Sequence, residues 1–160
     1  MAYPTTPKRL QVLDRVVAVL KAIHEGTDYF YSAYEVTKRA RHFNECGGFP
    51  TYMVFMNGEA EPEQHLDSEN VVKMTLSVSG WVDLELGEPQ SKLLKCIRDV
   101  EKAIDTDAKS TASGSLGVLC ANGLVDVGAV ETDNGGFSAD GFAAFTQTIT
   151  VQIMGQWGEL

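Results

Sequence analysis

The chain carries residue types that serve several reactions, but not the spacings those reactions need. Its three histidines stand apart: His24 at the end of a helical stretch, His42 in a basic segment and His65 in an acidic one. No two share the i, i+4 spacing by which one helix face presents a pair of metal ligands, so they read as surface histidines. Glu59, Glu61, Glu63, Asp67 and Glu69 crowd a single segment. Acid and base catalysts face each other across elements, and an EF-hand needs its ligands at fixed positions; this run reads as a solvated loop. Cys46, Cys96 and Cys120 are odd in number and lack C-x-x-C spacing. They outline neither a disulfide framework nor a zinc site and read as buried or half-buried thiols. There is no G-x-S-x-G elbow, P-loop or G-x-G-x-x-G turn, and Gly114-Ser115-Leu116-Gly117 is a flexible turn. The expectation is a protein that is not an enzyme, with no catalytic, cofactor-binding or metal-binding residue.

Charge narrows the partners. A formal charge of −9 over 160 residues lacks the clustered Lys and Arg that displace counterions from nucleic acid over a broad surface. DNA would pass such a protein without sticking. Lys38, Arg39 and Arg41 are the local exception. They read either as a solvated hairpin tip or as an electrostatic contact with an acidic patch on a neighbouring copy or partner ring. On the second reading, charge reversal at Arg39 and Arg41 weakens assembly and leaves the subunit folded. No apolar run approaches the ~20 residues needed to span a bilayer, and the segment around Tyr3-Pro4 and Lys8-Arg9 lacks the apolar stretch of a signal peptide. A soluble, intracellular protein without a membrane partner is expected.

The elements that would position these residues follow from periodicity. From Val71 to Leu86, even positions are Val72, Met74, Leu76, Val78, Val82, Leu84 and Leu86, while odd ones include Lys73, Thr75, Ser77, Ser79, Asp83 and Glu85. Period two means a strand with one buried face, and Gly80-Trp81 marks a bulge or a close backbone approach. Before it come a helix from Thr6-Pro7 to about residue 25, an aromatic strand Tyr29–Val36, and a strand Tyr52–Met56 closed by the turn Asn57-Gly58. Residues 59–69 read as a mobile connection. After it come a helix Pro89–Ile104, a flexible connection 105–117, a short strand 116–121, a strand 124–131 and a closing strand Phe145–Ile153. The tail 155–160 reads as exposed. A single domain over 1–160 is expected, α+β in class, with a mixed, mainly antiparallel sheet of four to five strands and two helices on one face, in the order α-β-β-β-α-β-β.

That layout resembles the tail terminator family of long-tailed bacteriophages, also called tail completion or tail-to-head joining proteins. The likeness lies in the amphipathic helix Leu10–Ile23 and the aromatic strand after Gly26, Phe49-Pro50 ahead of a strand, the long alternating strand leading into the helix from Pro89, and the closing strand Phe145–Ile153. It implies an α+β subunit that closes into a ring, typically a homohexamer, on the finished tail tube. Such a ring stops polymerisation of the tube protein, meets a neck or head-completion protein, and lets DNA through its channel without specific binding. It sits in the virion at the head-proximal end of the tail and is assembled in the host cytoplasm. The family transfers no catalytic residue. The candidate assembly surface is Lys38, Arg39, Arg41, Lys73, Thr75, Ser77 and Trp81. The nearest alternative is a neck or head-completion connector of the same virion; a small ligand-binding or enzymatic α+β domain stands further off, because it needs a deep pocket with convergent polar groups.

Overall fold

A computed structural model of the chain describes residues 6–26, 28–59, 63–64, 69–84, 89–133, 141–156 and 159–160. Their order is α1 (Lys8–Lys21), β1 (Glu35–Thr37), β2 (Thr51–Glu59), β3 (Glu63–Gln64), β4 (Asn70–Asp83), α2 (Pro89–Ala108), α3 (Leu116–Leu119), β5 (Val125–Thr132) and β6 (Phe142–Gly155). The fold is α+β, with one mixed, mainly antiparallel sheet in the order β1-β2-β4-β6-β5. β1 runs parallel to β2, and β3 takes β2's place beside the start of β4.

The alternating stretch is the spine of this sheet. β4 pairs with β6 from Asn70↔Gly155 to Asp83↔Phe142 without a break in register. Opposed residues share a face, so Val72 meets Ile153, Met74 meets Val151 and Leu76 meets Ile149, all fully buried. α1 lays Val12, Val16, Val17 and Leu20 on this face, and α2 adds Leu93, Ile97, Val100 and Ile104 to the same apolar cluster. Each such side chain contributes about 1.5–3 kcal/mol on burial. Gly80 makes no bulge: β4 stays in register with both neighbours through it.

Four segments depart from expectation, three of them where a side chain or main-chain atom elsewhere claims their backbone. α1 begins at Lys8, has Pro7 rather than Thr6 at its cap, and stops at Lys21. Its first free N–H groups, on Lys8 and Arg9, donate to the Glu159 and Leu160 main-chain oxygens at 2.8 and 3.1 Å. Those are donors every helix leaves orphaned, and supplying their partner draws the supposedly exposed tail inward: Leu160 is buried in the core. The aromatic segment is not a strand before Glu35, because the Phe30 and Tyr31 N–H groups donate to Asp99 Oδ2 at 2.8 and 3.1 Å. β2 runs on through Asn57-Gly58, which forms an irregularity in its pairing with β4 instead of a turn; the Asn57 amide reaches the Ser77 hydroxyl.

The fourth departure is the stretch after Ile104. α2 continues to Ala108, and the expected strand 116–121 is instead the helical turn α3. Asp107 fixes it. Its carboxylate accepts the Leu116 N–H at 2.8 Å and Arg15 Nε at 3.0 Å, tying α1, α2 and α3 together. Gly117 lies so close to α2 that a Cβ there would come within 2.6 Å of the Ala108 carbonyl oxygen. The strands around β4 also have different bounds from those expected: β4 ends at Asp83, and β6 starts at Phe142. Residues 60–62 and 65–68 of the acidic segment, 85–88, and 134–140 of the Gly-rich segment lie outside the described residues.

Asp107 carries a pH prediction. Burial pushes its carboxyl up, but the Arg15 hydrogen bonds, the Leu116 N–H and the Arg15 charge outweigh burial and hold it below the ordinary 3.8. The folded state therefore binds this proton less readily than the unfolded chain does. Its stabilisation is complete above the unfolded value and is lost as pH falls through the lowered folded value. Asp107→Asn should be less stable at neutral pH and should lose less stability than the parent on acidification below pH 4, as read by denaturant midpoints at several pH values.

Candidate assembly surface

Among the described residues, no layer covers most of the sheet face opposite the helices. Rows can be read across it from the register, from β5 through β6 to β4: Leu124, Gln152 and Lys73 at one end, then Asp126, Thr150 and Thr75, then Thr148 and Ser77, then Glu131, Thr146 and Ser79. Thr75, Ser79, Thr146, Thr148 and Thr150 are half-buried, and Lys73 is exposed. Ser77 is nearly enclosed, under the Asn57 amide. The Ser79 and Thr146 hydroxyls bond across strands at 3.0 Å. Period two puts these hydroxyls on one side, and the long β4–β6 ladder holds them in a plate. Thus Lys73, Thr75 and Ser77 are brought together as the sequence predicts.

Trp81 shares the face but is partly covered there. The segment after β1 folds over its end of the plate: Trp81 Nε1 donates to the Arg41 carbonyl at 2.8 Å, and the ring sits 5.6 Å from Phe43 and 5.8 Å from His42. Phe43 and Phe49 pack in turn on Phe142, at 4.9 and 4.8 Å. This aromatic cluster closes one end of the plate, and Met53 is buried beside it.

The basic trio is likewise divided. Lys38 pairs with Asp14 of α1, and Arg41 pairs with Glu35 at 2.9 Å and donates to the Glu45 carbonyl. Arg39 is exposed and, among the described residues, has no ion pair. A cluster that looks like three free charges in sequence therefore presents one. Across the described surface, ion pairs also hold Arg9, Arg15, Lys92, Arg98, Lys102 and Lys109. The cations are largely neutralised within the subunit, and the net −9 belongs to the surplus of carboxylates. The sequence reading missed the acidic rim of the plate, Asp126 and Glu131 on β5; only the sheet order reveals it.

Among the described residues no group of three His, Cys, Asp or Glu side chains is placed to hold a metal ion. A dent of about 470 Å³ between Lys73, Leu124, Asp126, Thr150 and Gln152 lies on the plate itself and is broadly open. Burial pushes the Cys96 thiol up to about 12 and the Cys120 thiol up to about 11. Thiolate is the reactive form, so both are inert at neutral pH. In the native protein at pH 8, a thiol reagent should modify only Cys46, which is half-buried; all three should react after unfolding. Fast modification of Cys96 in the folded state would show that the α2–sheet core is open.

No helix among the described residues is long and apolar enough to cross a membrane. No model of a known protein family matches the chain, and no curated protein matches it.

Proposed function

We propose that the protein is a structural virion subunit that closes into a ring, caps the completed tail tube of a long-tailed bacteriophage, ends its polymerisation and provides the joint to the head. The observation that carries this reading is the plate. Two fourteen-residue strands run in unbroken register, helices cover one side, and the other side is an open surface of threonine and serine. A ligand site is concave and mostly apolar. A broad surface rich in hydroxyls, with charges only at its margins, is suited instead to lying against another protein surface, where shape and buried area do the work. The order of elements supports the same reading. So does the charge: with most cations neutralised inside the subunit, an acidic ring wall repels phosphates and lets DNA move through.

Two measurements test it. Native mass spectrometry of the purified protein should give a closed oligomer, six copies in the typical case, and a monomer at all concentrations would defeat the proposal. Electron microscopy of tails assembled without the protein should then show overlong tubes. Tails of normal length that fail to attach to heads would mean a neck component instead.

A further inference from the structure

A closed ring needs two different surfaces on each copy, one to offer and one to receive. Resting on the ring reading, we propose that successive copies meet edge to edge across the sheet. The Asp126–Glu131 rim of β5 in one copy lies against Arg39, beside β1, in the next.

The sheet order supplies the geometry. β1 and β5 are the two edges of one sheet, so a lateral neighbour brings unlike edges together. Arg39 follows β1 by two residues and is exposed, while Lys38 and Arg41 are taken by Asp14 and Glu35. On the far edge Asp126 and Glu131 are exposed, and neither forms an ion pair among the described residues. Each edge also carries one large exposed apolar side chain: Tyr34, 60% exposed, just before β1, and Leu124, 51% exposed, just before β5. Opposite charge with an apolar contact on each side is the pattern of a complementary interface. Two β5 edges brought together would oppose carboxylate to carboxylate, which disfavours a twofold dimer.

The contact is made by side chains rather than by a shared β-ladder. Gly128 and Ala129 form a bulge in β5, between Val127 and Val130. The fully buried Gln147 holds that bulge in place: its Nε2 donates to the Gly128 carbonyl at 2.6 Å. A bulge interrupts the outer row of backbone groups that an incoming strand would need. The open Thr and Ser face stays free to meet the tube or line the channel.

The test is a charge swap on the full chain, read by native mass spectrometry and light scattering. Arg39→Glu and Glu131→Lys should each raise the concentration needed for the ring at least tenfold, with melting curves like the parent's. The double variant should restore assembly. A second swap, Arg39→Asp with Asp126→Lys, reads the same contact should either variant of the first fold poorly. A parent ring that both reversals leave intact overturns the edge contact, as does loss of the ring in both singles without recovery in the doubles. A parent that is monomeric at every concentration overturns the ring reading itself. Added salt should weaken the parent ring, because contacts at this exposure are screened over about 8 Å at physiological ionic strength.

Discussion

Gly80→Val is expected to destabilise the subunit by about 1–3 kcal/mol, the usual cost of overpacking a dense core. At about 2–4 °C per kcal/mol for a chain of this size, the melting midpoint should fall visibly. The reason is local. Gly80 sits opposite Phe145 in the β4–β6 ladder and opposite Tyr52 in the β2–β4 ladder, on the covered face. Phe145 is 1% exposed, and its ring leans over the glycine, T-shaped to Tyr52 at 6.2 Å. A Cβ at residue 80 would lie 2.7 Å from Phe145 Cζ and nearer still to Cε1. The ring occupies the volume that any other residue at position 80 would claim, and the helices above prevent its escape. Gly80→Ala should therefore be milder than Gly80→Val, and Phe145→Leu should recover part of the loss in either background. That coupling, of order 0.5–3 kcal/mol for residues in contact, separates a steric cause from a loss of backbone freedom. If Phe145→Leu adds its own penalty in full to the Gly80→Val variant, the close approach is not what selects glycine.

What the sequence made legible was what its own periodicity determines. The row Val72, Met74, Leu76, Val78 declares a covered face, and with it Lys73, Thr75 and Ser77 must share the opposite one. Pro89 and the apolar spacing behind it declare α2. Features that depend on partners distant in the chain were not legible. Nothing near Tyr29–Tyr34 shows that a carboxylate some seventy residues on will take its amides. Nothing near Leu116 shows that Asp107 and the back of Gly117 favour a helical turn over a strand. The cover over Trp81 was not legible, because the segment that supplies it is joined to the ring only through the fold. The charge cluster was legible as charges but not as pairs: Asp14 and Glu35 neutralise Lys38 and Arg41 from other elements and leave Arg39. The acidic rim was the least visible of all. Asp126 and Glu131 become an edge only once β5 is known to stand outside β6, at the far end of the sheet from β1.

Asp99→Ala is expected to cost about 2–4 kcal/mol, the loss of one charged acceptor shared by two main-chain amides; its ion partner Arg98 is half exposed and is not stranded in the core. Asp99 is fully buried on α2, where Oδ2 takes the Phe30 and Tyr31 N–H groups and Oδ1 takes Arg98 Nη1 at 3.2 Å. Without it two amides lose their acceptor at the edge of the core, each at about 1–3 kcal/mol where water cannot enter. The segment has other ties to α2. Lys95 and Arg98 lie 5.4 and 5.2 Å from the Phe30 ring centroid, and Lys102 lies 5.7 Å from that of Tyr29. These exposed cation–π contacts contribute only about 0.5–1 kcal/mol each, and the rings can slide under the cations without losing them. Neighbouring main-chain bonds, from Gly26 to the Tyr29 carbonyl and from Ala33 to the Ile23 carbonyl, hold the ends of the segment, and the carboxylate holds the two amides between them. Asp99→Asn keeps an acceptor of the same shape and should lose about 1–2 kcal/mol, chiefly the charge assistance. Hydrogen exchange then identifies the mechanism: the Phe30 and Tyr31 amides should be protected in the parent, partly protected in Asp99→Asn and unprotected in Asp99→Ala under native conditions. If both amides remain protected in Asp99→Ala, they have another acceptor, and the aromatic segment is held by its rings. If protection is lost as expected, one helix carboxylate keeps an aromatic, strand-prone sequence out of the sheet. β1 then begins only at Glu35, and Arg39 is carried to the edge.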